Sequence, residues 1–322
     1  MRSLIFALCV SAIGATAHAS FDLAIMYDST NQTFVRYDPV NRVVLGTFGS
    51  QYQGYFGNAH RMALDPTSPG KFLSMDVNGV VRQIDYSTGL LTASYHPGTT
   101  VLFPTAFRAL SNGNLLRVLN SGATTILTRG SATPITTFAT YSGYTTIDAL
   151  PVENGNFVTL ERSISGSNYL YHLFYRNSGG TFVSWLPNWY TSTAAAALRT
   201  IQLHEGEIIG AGHTSGQLLN AYAPYSAGSF GTAGTIGVNH TVDTTNISTL
   251  ANGHPSTAYF VQNGSGGTRV FRMDLAGRIS TQFDTTSLSG RNITDMVVVI
   301  APEPGAFAGL ALGALLLLRR KK

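Results

Sequence analysis

The sequence predicts an all-β fold, a six-bladed β-propeller, from three observations. First, a hairpin pattern recurs at residues 34–48, 80–95 and 269–283: an apolar or aromatic run, a polar turn and a second alternating run. Second, another hairpin, such as 61–76, precedes each later copy. Repeats of about 47 residues with four strands are typical of propeller blades. Third, no helix-period segment longer than about two turns interrupts the array. Residues 192–198 come closest to a helix, and we expect a loop there.

The ends of the array predict how the ring closes. The first repeat lacks an opening strand, and a spare strand, 293–300, follows the last repeat. Placing the spare strand innermost in the first blade removes the exposed edge of an open array. A seven-bladed ring with one degenerate blade and a pair of β-sandwiches are the alternative folds. The predicted blades are 21–50 with 293–300, 57–97, 103–142, 145–188, 198–237 and 245–288.

Large side chains within the blades are predicted to be structural. Trp185, Trp189 and Tyr190 fall in the predicted loop after the fourth blade, as a hydrophobic plug or as an exposed patch for stacking on sugar rings. Alternating apolar residues form the predicted core of the first two blades: Ile25, Tyr27, Phe34, Val44, Phe48, Met62, Leu64, Phe72, Val81 and Ile84.

The first nineteen residues have the pattern of a secretory signal peptide. Arg2 precedes an apolar run over 4–13, and Ala17 and Ala19 form a small-residue cleavage motif, which predicts cleavage before Ser20. Cys9, the only cysteine, lies in this segment. The mature chain is therefore predicted to contain neither disulfides nor thiolate metal sites.

The last twenty-two residues, 301–322, form a separate C-terminal segment after the propeller domain at 20–300. Pro302, Glu303 and Pro304 precede an uncharged run at 305–318. As a helix this run spans only about 21 Å, against about 30 Å for a hydrocarbon core, so it is a marginal membrane span. Four terminal cations favour the cytoplasmic side: Arg319, Arg320, Lys321 and Lys322. A buried C-terminal core helix is the alternative.

This tail resembles the PEP-CTERM sorting signal of exopolysaccharide-making Gram-negative bacteria. The resemblance rests on the Pro302-Glu303-Pro304 triplet, the apolar run and the basic end. It implies processing by a membrane protease of the exosortase type. It also implies a chain that is tethered to the inner membrane in transit and then delivered to the cell surface or the extracellular matrix, in association with exopolysaccharide or biofilm.

The body between the two terminal segments is electrically neutral. Of twenty Lys and Arg, five lie in those segments, and of sixteen Asp and Glu, only Glu303 does, which leaves fifteen of each sign. The basic pI therefore predicts no nucleic-acid partner. A weakly charged surface rich in Ser, Thr, Asn and Gly suits an extracellular protein that contacts neutral polymers such as polysaccharides.

One mouth of the central channel holds the candidate site. Alignment of the innermost strands brings together a mixed-charge cluster of His60, Arg108, Asp148, Asn246 and Asp295, with Arg61 and Arg199 nearby. Lactone-hydrolysing or sugar-oxidising propellers of the gluconolactonase-like group hold a divalent cation on this face, and Asp148, Asn246 and Asp295 could imitate that set. The nearby arginines oppose a cation. The alternative is that the aspartates pair with Arg108 or Arg61 and fix the strand ends.

Two functions remain open. The sequence favours a non-enzymatic binding or structural protein, exported through the signal peptide and sorted through the tail, with no catalytic residue, cofactor or metal. The alternative is a metal-dependent hydrolase of the lactonase kind, or a sugar dehydrogenase, that uses the channel.

Overall fold

The computed structural model confirms an all-β, six-bladed β-propeller. A short 3-10 helix, Glu153–Gly155, joins two strands, and no α-helix occurs in the described part. Both the predicted signal peptide and the predicted C-terminal helix lie outside that part. The structure describes residues 20–50, 61–95, 104–131, 134–138, 141–193, 198–214, 217–238, 247–252, 257–264, 267–284 and 287–302.

Blade 1 closes the ring as the sequence predicts. Strands are numbered β1 to β26 along the chain, and blade 1 has the order β26-β1-β2-β3 from the inside outward. The C-terminal strand pairs with β1 from Ser20 opposite Pro302 to Asp28 opposite Ile293. It runs two residues past its predicted end at Ile300. The strands are β1 Ser20–Asp28, β2 Thr33–Asp38, β3 Val43–Phe48 and β26 Ile293–Pro302.

The other five blades are antiparallel meanders, each running outward from its innermost strand. Blade 2 contains β4 Arg61–Leu64, β5 Lys71–Met75, β6 Val81–Asp85 and β7 Leu91–Tyr95. Blade 3 contains β8 Pro104–Ala109, β9 Leu115–Leu119, β10 Thr124–Leu127 and β11 Pro134–Phe138. Blade 4 contains β12 Tyr144–Pro151, β13 Phe157–Ser165, β14 Asn168–Arg176 and β15 Phe182–Ser192.

Blades 5 and 6 have irregular outer edges. In blade 5 two short strands replace one outer strand, and in blade 6 a short strand pairs parallel with β25. Gly237, predicted in blade 5, therefore belongs to the sheet of blade 6. Blade 5 contains β16 Thr200–His204, β17 Glu207–Thr214, β18 Gln217–Ser226, β19 Ser229–Phe230 and β20 Gly234–Thr235. Blade 6 contains β21 Gly237–Val238, β22 Ile247–Asn252, β23 Thr257–Gly264, β24 Gly267–Asp274 and β25 Ile279–Asp284.

The hydrophobic core is divided among the gaps between neighbouring blades. Successive side chains of a strand point to opposite faces, and both faces of β1 are buried. Ala24 and Met26 pack toward blade 6, whereas Ile25 and Tyr27 pack toward blade 2. Most of the predicted core residues of blades 1 and 2 are indeed buried, with Val44 and Phe48 at the partly buried margin. Because both faces of such a strand are buried, its sequence is a nearly continuous run of apolar residues.

Leu64 is the error in the predicted core, because its side chain is 42% exposed. Met62, two positions earlier, is buried as expected. Leu64 is the last residue of β4, where the strand reaches the end of the channel. Its side chain therefore lines an opening instead of an inter-blade gap.

An ion pair joins blades 2 and 3 beside this opening. Arg129 donates from Nη1 to Asp65 Oδ2 (2.7 Å) and from Nη2 to Asp65 Oδ1 (2.6 Å). Gln83 and Thr67 donate to the same carboxylate. Burial alone would raise the pKa of Asp65, but these hydrogen bonds outweigh it and lower that pKa to about 2. The pair is thus a charged clamp between two blades.

The membrane-spanning prediction concerns residues 305–318, which lie outside the described part of the chain. Among the residues that are described, no helix has the length and apolar character needed to cross a bilayer.

Candidate functional site

The central channel has two openings of different chemistry. All six innermost strands run in the same direction, so their first residues meet at one opening and their last residues at the other. The polar mouth is a cavity of about 340 Å³ at the starts of the strands; it is lined by Arg61, Arg108, Asp148, Arg162, Arg199 and Asp295, with threonines between them. The apolar mouth, of about 580 Å³, is lined mainly by aliphatic residues at the strand ends, including Leu64, Leu150, Leu203 and Val298.

Two buried aspartates at the polar mouth hold neighbouring blades together. Asp295 accepts the Met62 N–H at 2.7 Å across the gap from blade 1 to blade 2. Asp148 accepts the Ile201 N–H at 2.9 Å across the gap from blade 4 to blade 5. The other oxygen of each carboxylate accepts the N–H of the next residue, at 2.8 Å in both cases. The two aspartates therefore occupy equivalent positions and have the same structural role.

Two arginines on the same side are held by backbone carbonyls and by one of these aspartates. Arg61 donates to the carbonyl of Thr105 in blade 3 (2.9 Å). Arg108 donates to its neighbour's carbonyl and, from Nη2, to Asp148 Oδ2 at 3.1 Å. The predicted pairing of Asp148 with Arg108 is confirmed.

Two further arginines extend the polar mouth between blades 4 and 5. Arg162, on β13, pairs with Thr145 on β12. Its guanidinium lies 5.4 Å from the ring centre of Tyr169. Arg199 precedes β16 and is close enough to Arg162 for their charges to interact. Desolvation lowers the pKa of Arg199, the charge of Arg162 lowers it further, and Tyr171 opposes the change. A positive charge is therefore concentrated at this gap.

The structure brings together three of the five predicted cluster residues: Arg108, Asp148 and Asp295. His60 and Asn246 lie outside the described residues, as do Ala17, Ala19, Glu303, Pro304, Arg319, Arg320, Lys321 and Lys322. Ser20 and Pro302 lie within paired strands.

Arg162 was not among the predicted site residues, because the innermost strands alone carry no signal for it. Arg162 lies on the second strand of blade 4, whose hairpin continues past the polar mouth to Ser165. The available signal for that extension was the length of the two strand-forming segments on either side of the Ser165–Asn168 turn, both rich in β-branched or aromatic residues.

Those residues of the polar mouth that the structure describes do not fit a divalent cation. All four carboxylate oxygens of Asp148 and Asp295 already accept backbone N–H groups, and four guanidiniums surround them. Hard cations need several converging oxygen ligands, and the positive charge of the surrounding guanidiniums opposes a cation here. Within the described part of the chain, no group of three His, Cys, Asp or Glu side chains could hold a metal ion.

The tryptophan cluster divides into a buried and an exposed member. Trp189 lies in β15, not in the predicted loop; it is buried between blades 4 and 5 and donates from Nε1 to the carbonyl of Tyr222 at 3.1 Å. The plug interpretation is correct for this residue. Trp185 is 43% exposed and stacks on His172, with ring centres 5.7 Å apart.

Comparisons with known proteins find similarity in structure but not in sequence. No family model matches the chain, and no curated protein matches its sequence. A crystal structure of a protein of unknown function from Bacteroides caccae is similar with a TM-score of 0.55 at 9% identity, over 87% of this chain and 99% of that one. This similarity, at so low an identity, extends to the fold alone; the six sheets of the chain themselves define it as a β-propeller.

Two further solved structures have lower similarity. The β-propeller domain of Myceliophteria thermophila Cps50 (Swd1) has a TM-score of 0.49 at 9% identity, over 78% of this chain and 94% of that one. The structure of U3-55K has a TM-score of 0.44 at 10% identity, over 68% of this chain and 62% of that one.

Proposed function

We propose that this protein is an exported, non-enzymatic binding propeller of the cell surface or extracellular matrix, sorted and processed through its Pro302-Glu303-Pro304 tail. The carrying observation is the pairing of Ser20 with Pro302 at the end of the ring-closing strands. The two predicted processing points, before Ser20 and near Pro302, therefore flank one strand pair. Every strand of the propeller lies between them.

This geometry supports removal of both terminal segments from a folded body. Strands β1 and β26 keep all of their paired residues when residues 1–19 and 303–322 are absent. Among the described residues, the hydrophobic contacts of β26, from Ile293 to Val299, are made with the propeller body. Processing would therefore release or re-anchor a propeller that is already complete.

The tail is the basis for the two partners proposed during transit, the inner membrane and an exosortase-type protease. Its apolar run would hold the chain in the inner membrane, with the four terminal cations on the cytoplasmic side. An exosortase-type protease would then act near the Pro-Glu-Pro triplet, since two prolines in three residues disfavour helical backbone. The folded body would reach the envelope surface or the extracellular polysaccharide.

Binding is better supported than catalysis at the polar mouth. Asp148 and Asp295 each accept a backbone N–H from the adjacent blade, which gives both carboxylates a structural role in the ring. The metal-dependent alternative predicts that millimolar calcium or manganese raises the unfolding temperature, because a ligand of the folded state stabilises it. We expect no change in that temperature.

Intact mass of the protein from the producing cell's envelope and medium tests the sorting proposal. We expect a chain that begins at Ser20 and ends near Pro302, with any excess mass reporting an attached anchor or glycan. Glu303→Gln, or truncation of residues 319–322, should leave unprocessed chain in the membrane. Glu205→Gln, at an exposed glutamate of the propeller, is the matched control. Normal processing of both tail variants would refute the proposal.

A further inference from the structure

We propose that the polar mouth binds the carboxylate of an acidic saccharide, with Arg199 and Arg162 as the carboxylate-binding residues. The inference rests on the proposed binding function and adds the chemical class of the ligand. It follows from the charge of the mouth, from the hydrogen bonds already made there and from its polar, uncharged lining.

The charges at the mouth leave an excess of positive charge for a ligand. Four guanidiniums line it, and the only carboxylates among its described lining residues are Asp148 and Asp295. Both carboxylates accept backbone N–H groups with each of their oxygens, and Asp148 also accepts from Arg108. An anion entering the mouth would therefore meet arginines whose charge the aspartates only partly offset.

Arg199 is the arginine best placed to contact an entering anion. Its backbone is fixed, because its N–H donates to the Ala211 carbonyl at 2.9 Å. Part of its side chain is exposed although the guanidinium is partly desolvated, and that guanidinium forms no hydrogen bond with any residue that the structure describes. The nearby charge of Arg162 disfavours the empty state, and a carboxylate between the two would relieve that repulsion. A guanidinium offers a planar pair of donors that matches a carboxylate.

The uncharged lining favours a sugar as the carrier of the carboxylate. Between the arginines lie the side chains of Thr105, Thr145, Thr146, Thr200 and Asn120, which can exchange hydrogen bonds with sugar hydroxyls. The cavity of about 340 Å³ is at the small end of the usual range for small-molecule sites, about 300–1,000 Å³, which suits a single acidic sugar unit. The neutral body offers no broad basic surface for nucleic acid.

Titration calorimetry on the processed protein tests the inference. The probes are a uronic-acid oligosaccharide, the same oligosaccharide with its carboxylates reduced to alcohols, acetate and inorganic phosphate. We expect the acidic oligosaccharide to bind at least about tenfold more tightly than the reduced one, since a hydrogen bond to a charged group is lost. Binding should weaken with added salt.

Variants assign the contact to the proposed residues. Arg199→Gln and Arg162→Gln should each reduce affinity for the acidic probe at least about tenfold and leave affinity for the reduced probe unchanged. Arg199→Lys retains the charge and should restore part of the loss. Arg272→Gln, at an exposed arginine of blade 6, is the matched control and should bind like the wild type. Unfolding temperatures would confirm that each variant is folded.

The possible results separate this inference from the proposed function. Equal binding of the acidic and reduced oligosaccharides, or wild-type affinity in Arg199→Gln, would overturn the carboxylate site while saccharide binding stands. Tight binding of acetate or phosphate alone would overturn the saccharide and leave a simple anion site. Absence of binding by every probe would overturn the inference, and with it the binding half of the proposed function, while tail processing is judged by mass alone.

Discussion

Replacing Asp65 by Asn should remove a defined part of the acid sensitivity of the propeller. The Asp65 carboxylate is buried and is held by both guanidinium nitrogens of Arg129 in the next blade. Its pKa is about 2 in the folded protein, against an ordinary value of 3.8. A folded-state pKa below the unfolded value gives stability that is present above pH 3.8 and is lost as the pH falls through 2.

The magnitude follows from the difference between those two pKa values. At about 1.4 kcal/mol per tenfold change in proton affinity, the ionised carboxylate contributes about 2 kcal/mol above pH 4, most of which is lost by pH 2. In Asp65→Asn this titration is absent, and the unpaired Arg129 guanidinium costs about 3–5 kcal/mol at neutral pH. The difference in unfolding free energy between wild type and variant should therefore shrink by about 2 kcal/mol between pH 5 and pH 2.

Urea unfolding of both proteins at half-unit steps from pH 5 to pH 2 measures this difference. Asp85→Asn is the matched control, because the Asp85 carboxylate accepts hydrogen bonds from Ser87 and Thr88 within its own partly exposed turn. We expect the control to change stability much less than Asp65→Asn does. A constant difference between wild type and Asp65→Asn across the whole pH range would refute the reasoning.

Three further substitutions test contacts within and between the blades, each measured by urea unfolding at neutral pH. Asp295→Asn places an amide NH₂ against one of two backbone N–H groups and should cost about 1–3 kcal/mol. Gly210→Ala brings a methyl group to 2.5 Å from the Trp189 ring and should cost about 1–3 kcal/mol. Glu161→Ala leaves the buried Arg176 guanidinium without its 2.6 Å partner and should cost about 3–5 kcal/mol.

Each of these substitutions has its own comparison. Gly179→Ala meets its nearest neighbour at 3.4 Å and should cost less than Gly210→Ala; the reverse order would show that the indole ring yields easily. A Glu161→Met, Arg176→Met double variant should lose less than the sum of the single changes, since it leaves no buried charge. Unchanged stability in Asp295→Asn would mean that the inter-blade hydrogen bond is not needed for ring stability.

The fold was predictable because the same four-stranded pattern is repeated along the chain. Four-stranded repeats of similar length fix the blade count, and the missing strand before Phe21 can be supplied only by the surplus strand at 293–300. Each repeat supports the others, so one irregular copy does not change the result. The short strands at the outer edges of blades 5 and 6 carry too few residues to have such a signal.

The site was only partly predictable, because it depends on contacts between repeats. Asp148 could be placed at a mouth by alignment, but its bond to the Ile201 N–H arises only when two blades are packed together. Arg162 reaches the same mouth from a second strand. Leu64 follows the alternating pattern of core residues, but the prediction that it is buried is wrong. Periodicity does not indicate where a strand reaches the end of the channel.

The pairing of Ser20 with Pro302 makes blade 1 the last blade that can be completed, because its innermost strand is the last strand of the described chain. Synthesis begins at the N-terminus, so β1 waits with an unpaired edge while the other five blades are made. Contacts between such distant residues form slowly, because the intervening chain must be brought together first. Ring closure therefore requires the full length of the propeller domain. A chain truncated before Ile293 keeps the edge of β1 unpaired and available to proteases or to other chains.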